Sequence, residues 1–554
     1  MNRRRLMQWM GGMASAALLP RTRALTFQQA EQQANTERSL ERGPFQPNWE
    51  SLKQYKAPDW FSDAKFGIWA HWTAQCVPEQ GDWYARQMYR QGQPQYDYHV
   101  AHYGHPSRFG FMQIDHLWKA EAWEPEELMQ LYVKAGAKYF VSLANHHDNF
   151  DCFDSAHHPW NALRIGPKKD IVGTWARVAR EHGLRFGVSS HASHAWHWLQ
   201  TAYGYDAEGP LAGVRYDAYT LRKEDGKGQW WDGLDPQELY TGRNMVMPEG
   251  LSTIKSQNEW HDGHDGQWLE EPPANNPQLV NKWLLRCQDL IDKYNPDLLY
   301  FDDTELPLGQ AGLDAAAHFY NANLRRHGHL EAVLNAKNLR PEHQGTLVLD
   351  LERGRANGIL SEPWQTDTCI GDWHYNRVLL EQHRYKTAKT VIGMLVDIVS
   401  KNGNLLLSIP VRGNGTIDDD ERKVLADLAG WMADNGEAIF ETRPFAVHGE
   451  GPPDVVKAGG FNEDTSRPYT AEDLCFTTKK DVLYAFAMAW PEDGNLKITT
   501  LAWGAQVWPY RIARIEITGQ AAPLEFAHGD AALVVKLPPT RRTDLPCALK
   551  ILRA

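Results

Sequence analysis

The chain has 554 residues, of which 42% are hydrophobic and 23% are charged, and this predicts a globular protein of two or three domains. The net charge of −12 and the pI of about 6.0 argue against nucleic acid as the main partner. The six cysteines form no CxxC pair or zinc-type spacing, so we expect mostly buried free thiols, with a chance disulfide left open.

Tryptophan is unusually frequent, with 23 residues, and histidine is equally frequent. Tryptophan faces suit sugar rings, because aromatic faces stack well on apolar C–H surfaces. The alternative is that many of these tryptophans simply fill a large core. The composition therefore agrees with a carbohydrate-active protein without requiring one.

The N-terminus has the features of an export signal. Consecutive arginines precede an apolar run from Trp9 to Leu19, and a small-residue cleavage site follows near Ala24. Paired arginines are typical of a twin-arginine signal, which exports folded proteins. The run is too short to span a bilayer comfortably, although a membrane anchor or a chance basic start is the alternative. We expect a signal peptide over 1–24, a polar arm over 25–57, and a periplasmic or secreted mature protein without membrane contact.

Apolar runs that end in polar residues recur along the chain. The first extends from Lys65 to Trp72 and includes His71, and the second extends from Tyr139 to Asn145 and is followed by His146 and His147. Continuous apolar character over such short runs predicts strands that are buried on both faces. Polar groups placed directly after buried strands are candidates for a functional site.

Helices are predicted between these strands. Leucines and a tyrosine share one face over 125–134, and a second helix is predicted from about Thr174 to His182. A third buried run, Arg185–Ser190, leads into a segment rich in histidine and tryptophan that reaches Trp198. Strands and helices therefore alternate in this part of the chain.

Residues 199–272 interrupt the alternation. The segment is rich in Gly, Asp and aromatic residues, and connections of this length in compact domains are usually functional. A helix then begins with Asn276 as N-cap and Pro277 as its first residue. The next buried run, Leu298–Phe301, ends in Asp302.

Further buried runs bring the number of strand candidates to about eight. They are Leu330–Lys337, Thr346–Glu352, Pro363–Asp367 and Asn402–Pro410. Eight strands alternating with helices predict an α/β fold, a (β/α)8 TIM-like barrel over 58–443, closed by a helix from Asp418 to Asn435. Short alternating runs separated by turn residues then predict a C-terminal antiparallel β-sandwich over 444–554.

The residue types at the strand ends suit glycoside hydrolysis. Chemistry in parallel barrels lies at the carboxyl ends of the strands. A retaining glycosidase needs one ionised carboxylate as nucleophile and one protonated carboxyl group as acid/base. Asp302 ends a buried strand and is therefore our candidate nucleophile, with histidines and tryptophans holding the sugar.

Several segments, in this order, resemble the α-L-fucosidases of glycoside hydrolase family 29. They are Ala64–Trp72, Asp82–Tyr84, Ala135–Tyr139, His146–Asp148, Leu299–Asp302, Trp373–Asn376, Val399–Leu407, Asn435–Ile439 and Thr442–Pro444. The resemblance covers about 58–445 and, more loosely, the C-terminal region. The combination is specific, whereas no single segment would be.

The resemblance implies roles for individual residues. Asp302 matches the family's nucleophile, and no metal or organic cofactor is expected. The expected substrate-binding residues are His71, Asp82, Trp83, His146, His147, Lys337, Trp364 and Trp373. The histidines match sugar-binding histidines, and Trp373 matches an aromatic residue that packs against the fucose methyl group.

The acid/base residue is assigned to Glu352. This glutamate ends a strand and lies upstream of Pro363, as the acid/base residue of the family does. Glu362 and Glu305 are the rival candidates. In the alternative interpretation, Glu352 is only a salt-bridge partner for a nearby arginine.

The chain departs from the family pattern at a few positions. Asp303 stands where the family usually has glycine, and adjacent carboxylates on a strand point to opposite sides. We expect Asp302 to face the sugar and Asp303 to cap a loop or support its neighbours. Asn145, Asn149 and His191 also replace common family residues, and they leave the exact sugar and the aglycone side open.

The expected function is a retaining, exo-acting α-L-fucosidase that acts on fucosylated oligosaccharides or glycoconjugates, with the insertion shaping linkage preference. An enzyme of the same mechanism that acts on L-galactose is one alternative. A non-catalytic glycan-binding protein is another, since the Trp-rich insertion would serve binding alone. A metal-dependent barrel hydrolase is the third, although the first strand lacks an H-x-H pair. Its candidate ligands are His146, His147, Asp148, His191 and His194.

Overall fold

The computed structural model describes residues 39–453, 458–463, 467–539 and 544–554. The predicted signal peptide and the first part of the predicted arm lie outside the described residues. No helix in the described part of the chain combines the length and apolar character needed to span a bilayer.

Eight parallel strands form a closed barrel, in the order β1 to β8. The strands are β1 (Phe66–Ala70), β2 (Tyr139–Asn145), β3 (Arg185–Ser190), β4 (Leu298–Thr304), β5 (Val333–Lys337), β6 (Val348–Asp350), β7 (Trp364–Cys369) and β8 (Gly403–Ser408). Every residue of β1, β2 and β8 is buried, as their largely apolar runs predict. Every residue of β7 is buried as well, although its sequence, WQTDTC, is mostly polar. Pairing of Phe66 with Leu405 closes the barrel between β1 and β8. The predicted α/β barrel is confirmed.

Sixteen α-helices lie in the described residues. They are α1 (Trp49–Leu52), α2 (Asp59–Ala64), α3 (Tyr84–Gln87), α4 (Pro94–His102), α5 (Phe111–Leu117), α6 (Pro125–Lys134), α7 (Ile171–Glu181), α8 (Ala195–Trp198), α9 (Asp217–Thr220), α10 (Pro236–Leu239), α11 (Ile254–Gly263), α12 (Pro277–Tyr294), α13 (Gln310–His327), α14 (Arg377–Glu381), α15 (Ala388–Ser400) and α16 (Asp419–Asn435).

Side-chain caps set the ends of these helices. The side chain of Asn276 accepts a hydrogen bond from the backbone N–H of Leu279 at the start of α12, as predicted. Helix α7 begins at Ile171, three residues before the predicted start, because Asp170 caps it by accepting from the N–H of Gly173. The apolar periodicity located this helix but missed its cap.

The 199–272 insertion is folded and anchored. Helix α11 and several shorter turns occupy it, and the buried ion pair of Arg86 and Asp265 (2.6 Å) fastens its end to the segment after β1. His261 also contacts Asp265 at 2.8 Å. Both members of the ion pair are at most 1% exposed. Such a buried pair fixes position, since each charge is compensated only by its partner.

The C-terminal domain consists of two antiparallel sheets. The strands are β9 (Arg443–Glu450), β10 (Leu474–Lys479), β11 (Val482–Ala487), β12 (Asn495–Ile498), β13 (Ile512–Ile517), β14 (Phe526–His528), β15 (Leu533–Lys536) and β16 (Cys547–Arg553). One sheet has the order β13-β16-β11-β10-β9 and the other β12-β15-β14. Phe476, Leu496 and Val535 are fully buried in their shared core. The predicted β-sandwich is confirmed.

All six cysteines lie in described residues, and none of the six forms a disulfide. Five are buried and Cys547 is partly buried. The expectation of buried free thiols is therefore confirmed.

Candidate active site

Polar side chains from successive strands converge at the carboxyl end of the barrel. Because all eight strands point the same way, residues that follow them meet at one mouth even when they are far apart in sequence. The side chains gathered there are His71, His146, His147, His191, Asp302, Lys337 and Glu352.

Asp302 lies on β4 at the centre of this group. Its Oδ1 accepts a hydrogen bond from Nζ of Lys337. Its Oδ2 lies 3.3 Å from Nε2 of His147 and 3.3 Å from Nδ1 of His191. The side chain is only 13% exposed. Asp302 is thus a nearly buried carboxylate with partners on both oxygens.

The neighbours of Asp302 determine its protonation. Burial alone would raise its pKa, but the charge of Lys337 and hydrogen bonds from His147 and His191 hold that pKa well below the usual range. Burial likewise opposes the charge of Lys337, yet the nearby carboxylates raise the pKa of this lysine well above its usual value. At neutral pH the two groups therefore form a carboxylate–ammonium pair.

Glu352 shares the same lysine. Its Oε2 lies 2.5 Å from Nζ of Lys337, on the loop that follows β6. Two carboxylate oxygens in contact with one nitrogen lie no more than about 5 Å apart, so the carboxylates of Asp302 and Glu352 are close neighbours. The structure therefore places Glu352 and Asp302 on the same side of the barrel mouth.

The rival glutamates are placed elsewhere. Both oxygens of Glu305 are engaged, one by Nδ1 of His343 at 2.7 Å and the other by the guanidinium of Arg340 at 2.7 Å. Glu362 is exposed, just before β7. Glu305 meets Lys337 through its backbone N–H, which donates to the Lys337 carbonyl oxygen (2.8 Å). Glu352 is the glutamate whose carboxylate contacts the same lysine as Asp302.

The tautomers of two histidines follow from their partners. Nδ1 of His147 donates to the carbonyl oxygen of His191 (2.7 Å), which directs Nε2 towards Asp302. Nε2 of Gln75 donates to Nδ1 of His146 (3.1 Å), and burial lowers the pKa of His146 well below its usual value. A neutral His146 with an acceptor at Nδ1 carries its proton on Nε2 and presents it as a donor.

His71 and Trp373 form a neighbouring wall. Their ring centroids are 4.8 Å apart, and Nδ1 of His71 lies 3.3 Å from Oγ of Ser408. The carboxylate of Asp82 accepts from the backbone N–H of Trp373 (3.2 Å) and of His374 (2.7 Å). Asp82 therefore positions the Trp373 segment, and its own contact with substrate stays a prediction.

Trp83 has the exposure and backbone strain typical of a functional residue. Its side chain is 38% exposed, and its φ of 63° lies in the left-handed region, which costs a non-glycine residue roughly 1 kcal/mol or more. Its ring meets Trp198 edge to face at 5.9 Å. Trp198 in turn lies 5.5 Å from His147, which connects Trp83 to the histidine group.

The prediction that Trp364 binds substrate is wrong. Trp364 is the first residue of β7 and therefore lies at the end of the barrel opposite the mouth. It is 1% exposed, and its Nε1 donates to the carbonyl oxygen of Lys401 (2.9 Å). A Cβ added at Gly403 would meet the Trp364 ring at 2.6 Å, so the side chain is a packing residue.

The substrate-binding prediction omitted His191, which belongs to the group at the barrel mouth, and three residues that border the group. The ring of His374 lies 4.7 Å from that of His146, and Trp268 lies 5.5 Å from His147. The third is Trp198. His374 follows Trp373 in a segment that resembles the family, and this resemblance could have identified it. Trp268 had no such signal, because the fold of the insertion decides its position.

Asp303 faces away from Asp302, as alternation along a strand requires. It is 1% exposed and accepts from Oγ of Ser193 at 3.0 Å, and it lies 2.9 Å from Nε2 of His194. Burial, together with the charge of Asp302, raises the pKa of Asp303 to about 7. Burial also raises the pKa of Glu270, its other neighbour, to about 7. These groups form a second polar cluster behind Asp302.

Two groups of potential metal ligands occur among the described residues. The first group consists of His146, His147 and His191, and the second of His194, Glu270 and Asp303. Within each group the potential ligand atoms lie within 4.8 Å of one another. In the first group, ring nitrogens already meet Gln75, a carbonyl oxygen and Asp302, so it belongs to the pocket around the nucleophile.

Comparisons with known proteins agree with this geometry. A family model described as alpha-L-fucosidase matches residues 31–437, and one described as alpha-L-fucosidase C-terminal domain matches residues 467–552. Tissue alpha-L-fucosidase of Rattus norvegicus is 25% identical over 464 residues, which cover 82% of this chain and 81% of the relative. Plasma alpha-L-fucosidase of the same species is 26% identical over 513 residues, with 91% and 92% covered.

A solved structure shows the same fold. The α-fucosidase of Thermotoga maritima in complex with a mechanism-based inhibitor aligns over 92% of this chain and 100% of its own, with a TM-score of 0.66 and 23% identity. The family model spans most of the chain, including every strand of the barrel and the mouth that they form. The chain belongs to the α-L-fucosidase family of glycoside hydrolases.

Proposed function

We propose that this protein is a retaining, exo-acting α-L-fucosidase that releases terminal α-L-fucose from oligosaccharides or glycoconjugates through a covalent glycosyl-enzyme intermediate. The observation that carries the proposal is the contact of Asp302 and Glu352 with a single lysine, Lys337. The two contacting oxygens are therefore no more than about 5 Å apart, which favours a retaining enzyme over an inverting one, whose carboxyl groups lie about 6.5–9.5 Å apart.

In the first step, Asp302 attacks the anomeric carbon as the bond to the leaving oxygen breaks. Glu352 gives its proton to that oxygen. The new C1–O bond makes Asp302 a neutral ester, so Lys337 then faces one carboxylate, Glu352. Water attacks C1 in the second step, gives its proton to Glu352, and restores the Asp302 carboxylate. Fucose leaves with its α configuration retained.

The histidine group supports recognition of one terminal sugar. His146 offers an N–H donor, and His71 and His147 lie beside it, each no more than 5% exposed. Such a buried set suits the hydroxyl groups of a single ring and admits no chain on both sides. This supports exo action.

L-galactose is the alternative sugar, since it differs from fucose by one hydroxyl at C6. The Trp373 ring beside His71 offers an aromatic face against which the fucose methyl group would pack, and this supports fucose. Paired kinetics with nitrophenyl α-L-fucoside and nitrophenyl α-L-galactoside measure the preference. A larger kcat/KM for the galactoside would replace fucose by L-galactose in this proposal.

Asp302→Gly tests the nucleophile. We expect loss of more than about 10³-fold in kcat for nitrophenyl α-L-fucoside, because the covalent route is removed. Azide should restore turnover and yield β-L-fucosyl azide, identified by proton NMR. Unchanged activity in the variant would end the assignment, and so would an azide product of α configuration.

Glu352→Gln tests the acid/base, with Glu362→Gln as a matched control on an exposed glutamate. We expect the loss in Glu352→Gln to be far larger for a fucosylated oligosaccharide than for a nitrophenyl fucoside. A nitrophenolate is a stable anion and leaves without a proton, whereas the leaving oxygen of a sugar must be protonated by the general acid. Equal losses on both substrates would contradict the role of Glu352.

A further inference from the structure

A second cluster lies behind the nucleophile, where three parts of the chain meet. His194 follows β3, Asp303 lies on β4, and Glu270 ends the insertion. Nε2 of His194 lies 2.9 Å from Oδ1 of Asp303 and 3.9 Å from Oε2 of Glu270. The Asp303 and His194 side chains are each 1% exposed, and that of Glu270 is 26% exposed. Nothing in the proposed reaction uses these groups directly.

A chain of histidines determines which atom of His194 faces the carboxylates. The carbonyl oxygen of Asp265 accepts from Nδ1 of His197 (3.1 Å), so a neutral His197 has an acceptor at Nε2. That Nε2 lies 3.3 Å from Nδ1 of His194, which must be the donor. Neutral His194 therefore turns the lone pair of Nε2 towards Asp303.

Two electron-rich atoms at 2.9 Å require a positive charge between them. One proton can bridge Nε2 of His194 and the carboxylate of Asp303, but Oε2 of Glu270, at 3.9 Å from that nitrogen, is too far away to share it. That oxygen is buried, and neither it nor Nε2 of His194 has a hydrogen-bond partner of acceptable geometry among the described residues. A cation that accepts three ligands satisfies all of these atoms together.

The remaining atoms of the cluster are oriented by neighbours, as ligands of a metal usually are. Oγ of Ser193 hydrogen-bonds to both oxygens of Asp303 at 3.0 Å. Oε1 of Glu270 accepts from the backbone N–H of Thr304 at 2.9 Å and from Nε1 of Trp268 at 2.5 Å. Since Oε1 is engaged, Oε2 of Glu270 is the oxygen that can act as a ligand at the centre of the cluster.

We propose that His194, Asp303 and Glu270 bind one divalent transition-metal ion, with Zn²⁺ as the best fit. Ligand atoms of tetrahedral Zn²⁺ are roughly 3.4 Å apart, given bonds of about 2.0–2.2 Å, and the two distances at Nε2 lie on either side of that value. Two carboxylates neutralise a double positive charge. An imidazole ligand favours Zn²⁺ over Mg²⁺ or Ca²⁺, which prefer oxygen.

The ion would tie the insertion to the barrel. It joins a loop after β3, strand β4 and the end of the insertion, three segments that are distant in sequence. The indole of Trp268 packs against His194, with ring centroids 3.8 Å apart and planes tilted by 33°, and it is 40% exposed beside His147. The metal therefore holds Trp268 at the rim of the sugar pocket, and its role is positional.

Zinc binding by the full-length, tag-free chain tests the proposal. Protein stripped with EDTA is titrated with ZnCl₂ in a calorimeter, and we expect one tight site per chain. Glu270→Gln should weaken binding by more than about 100-fold, beyond the 10–100-fold typical for loss of an outer partner. Asp303→Asn should do the same. Glu271→Gln, the exposed neighbouring glutamate, is the matched control and should bind like the wild type.

Anomalous scattering at the zinc edge locates the ion without any variant. Crystals of the wild-type chain grown with Zn²⁺ should show a peak within bonding distance of all three ligands. No saturable binding by the wild type would overturn the proposal and leave a shared proton in the cluster. Wild-type affinity in Glu270→Gln, or a peak only at cysteine thiols, would overturn it too. The proposed fucosidase activity is measured separately and does not depend on this result.

Discussion

Lys337 is the residue on which both proposed catalytic carboxylates depend. Its ammonium contacts Asp302 and Glu352, and it is nearly buried with them. Without Lys337, the carboxylates of Asp302 and Glu352 would lie close together with less positive charge to offset their mutual repulsion. A single cation thus keeps a nucleophile and an acid/base close together in one pocket.

Lys337→Met should lower kcat/KM for nitrophenyl α-L-fucoside by about 10²–10³-fold, the typical cost of removing one preorganised charge partner. Lys337→Arg keeps the charge and should retain more activity, although its fork geometry differs. Steady-state kinetics on variants with wild-type circular dichroism measure both. Activity of Lys337→Met within threefold of the wild type would contradict the role of this lysine.

Among the elements, the 199–272 insertion adds its own side chains to the mouth of the barrel. It contributes Trp268 beside His147, and Trp268 is exposed enough to meet a substrate. A tryptophan at the rim provides a face for the sugar beyond fucose. The insertion also carries Trp230, which is similarly exposed but stacks on His116 of α5.

Trp268→Ala should raise KM for fucosylated oligosaccharides by about 2- to 10-fold, from the loss of a stacking contact worth roughly 0.5–1.5 kcal/mol. KM for nitrophenyl fucoside should change less, because that substrate lacks the second sugar. Trp230→Ala serves as the matched control, with both constants unchanged. An equal change of KM for the two substrates in Trp268→Ala would refute a role in aglycone binding.

The insertion also contains a buried acid with an elevated pKa. Burial raises the pKa of Asp217 to about 7, although hydrogen bonds from Tyr240 and Tyr89 partly oppose this. The ordinary pKa of an aspartic acid is about 3.9, so Asp217 binds its proton more tightly in the folded state than in the unfolded state. Protonated Asp217 therefore stabilises the fold fully below about pH 4, and this stabilisation is lost as the pH rises to about 7.

Asp217→Asn imitates the protonated acid and should remove this dependence. The thermal midpoint of the wild type should fall relative to that of the variant between pH 5 and 7.5. The corresponding free energy is at most about 4 kcal/mol. Calorimetric scans of both proteins at matched rates measure the difference, in which other titrating groups cancel. A midpoint difference that does not change with pH would contradict the raised pKa of Asp217 in the folded state.

In the whole molecule, the barrel and the sandwich pack as one body around Trp431. This residue of α16 is 4% exposed, and its Nε1 donates to the carbonyl oxygen of Pro546 (2.7 Å). Its ring lies 6.4 Å from that of Phe486 on β11. Asn435, on the same helix, accepts from Oγ1 of Thr518 at 2.7 Å. Helix α16, the last helix of the barrel, is therefore the element against which the C-terminal domain packs.

Trp431→Ala should destabilise the protein by about 3–5 kcal/mol, because it removes a large buried side chain and a hydrogen bond. The exposed Trp503 of the sandwich provides the control, and Trp503→Ala should cost about 1 kcal/mol or less. Chemical unfolding followed by fluorescence and circular dichroism gives both values. Equal losses in the two variants would show that the contact with Pro546 contributes little.

Much of this architecture is predictable because strand burial leaves a direct mark in the sequence. Most barrel strands lie where apolar runs occur, although β7 is mostly polar in sequence. His71, His147 and Asp302 follow from their position at the ends of such runs. Helix starts depend on single caps such as Asp170, which periodicity does not register. Trp364 shows the limit of this approach, since an aromatic residue at the wrong end of a strand packs against the core.

The sequence alone determined the barrel, the sandwich and the strand that ends in Asp302, because local apolar patterns encode burial. Only the tertiary structure decided that Lys337 joins Asp302 to Glu352, and that Glu270 reaches Asp303 from an insertion. These contacts bring together residues on different strands and loops. Their distances depend on how the barrel closes and on how the insertion folds over it, which no local pattern records.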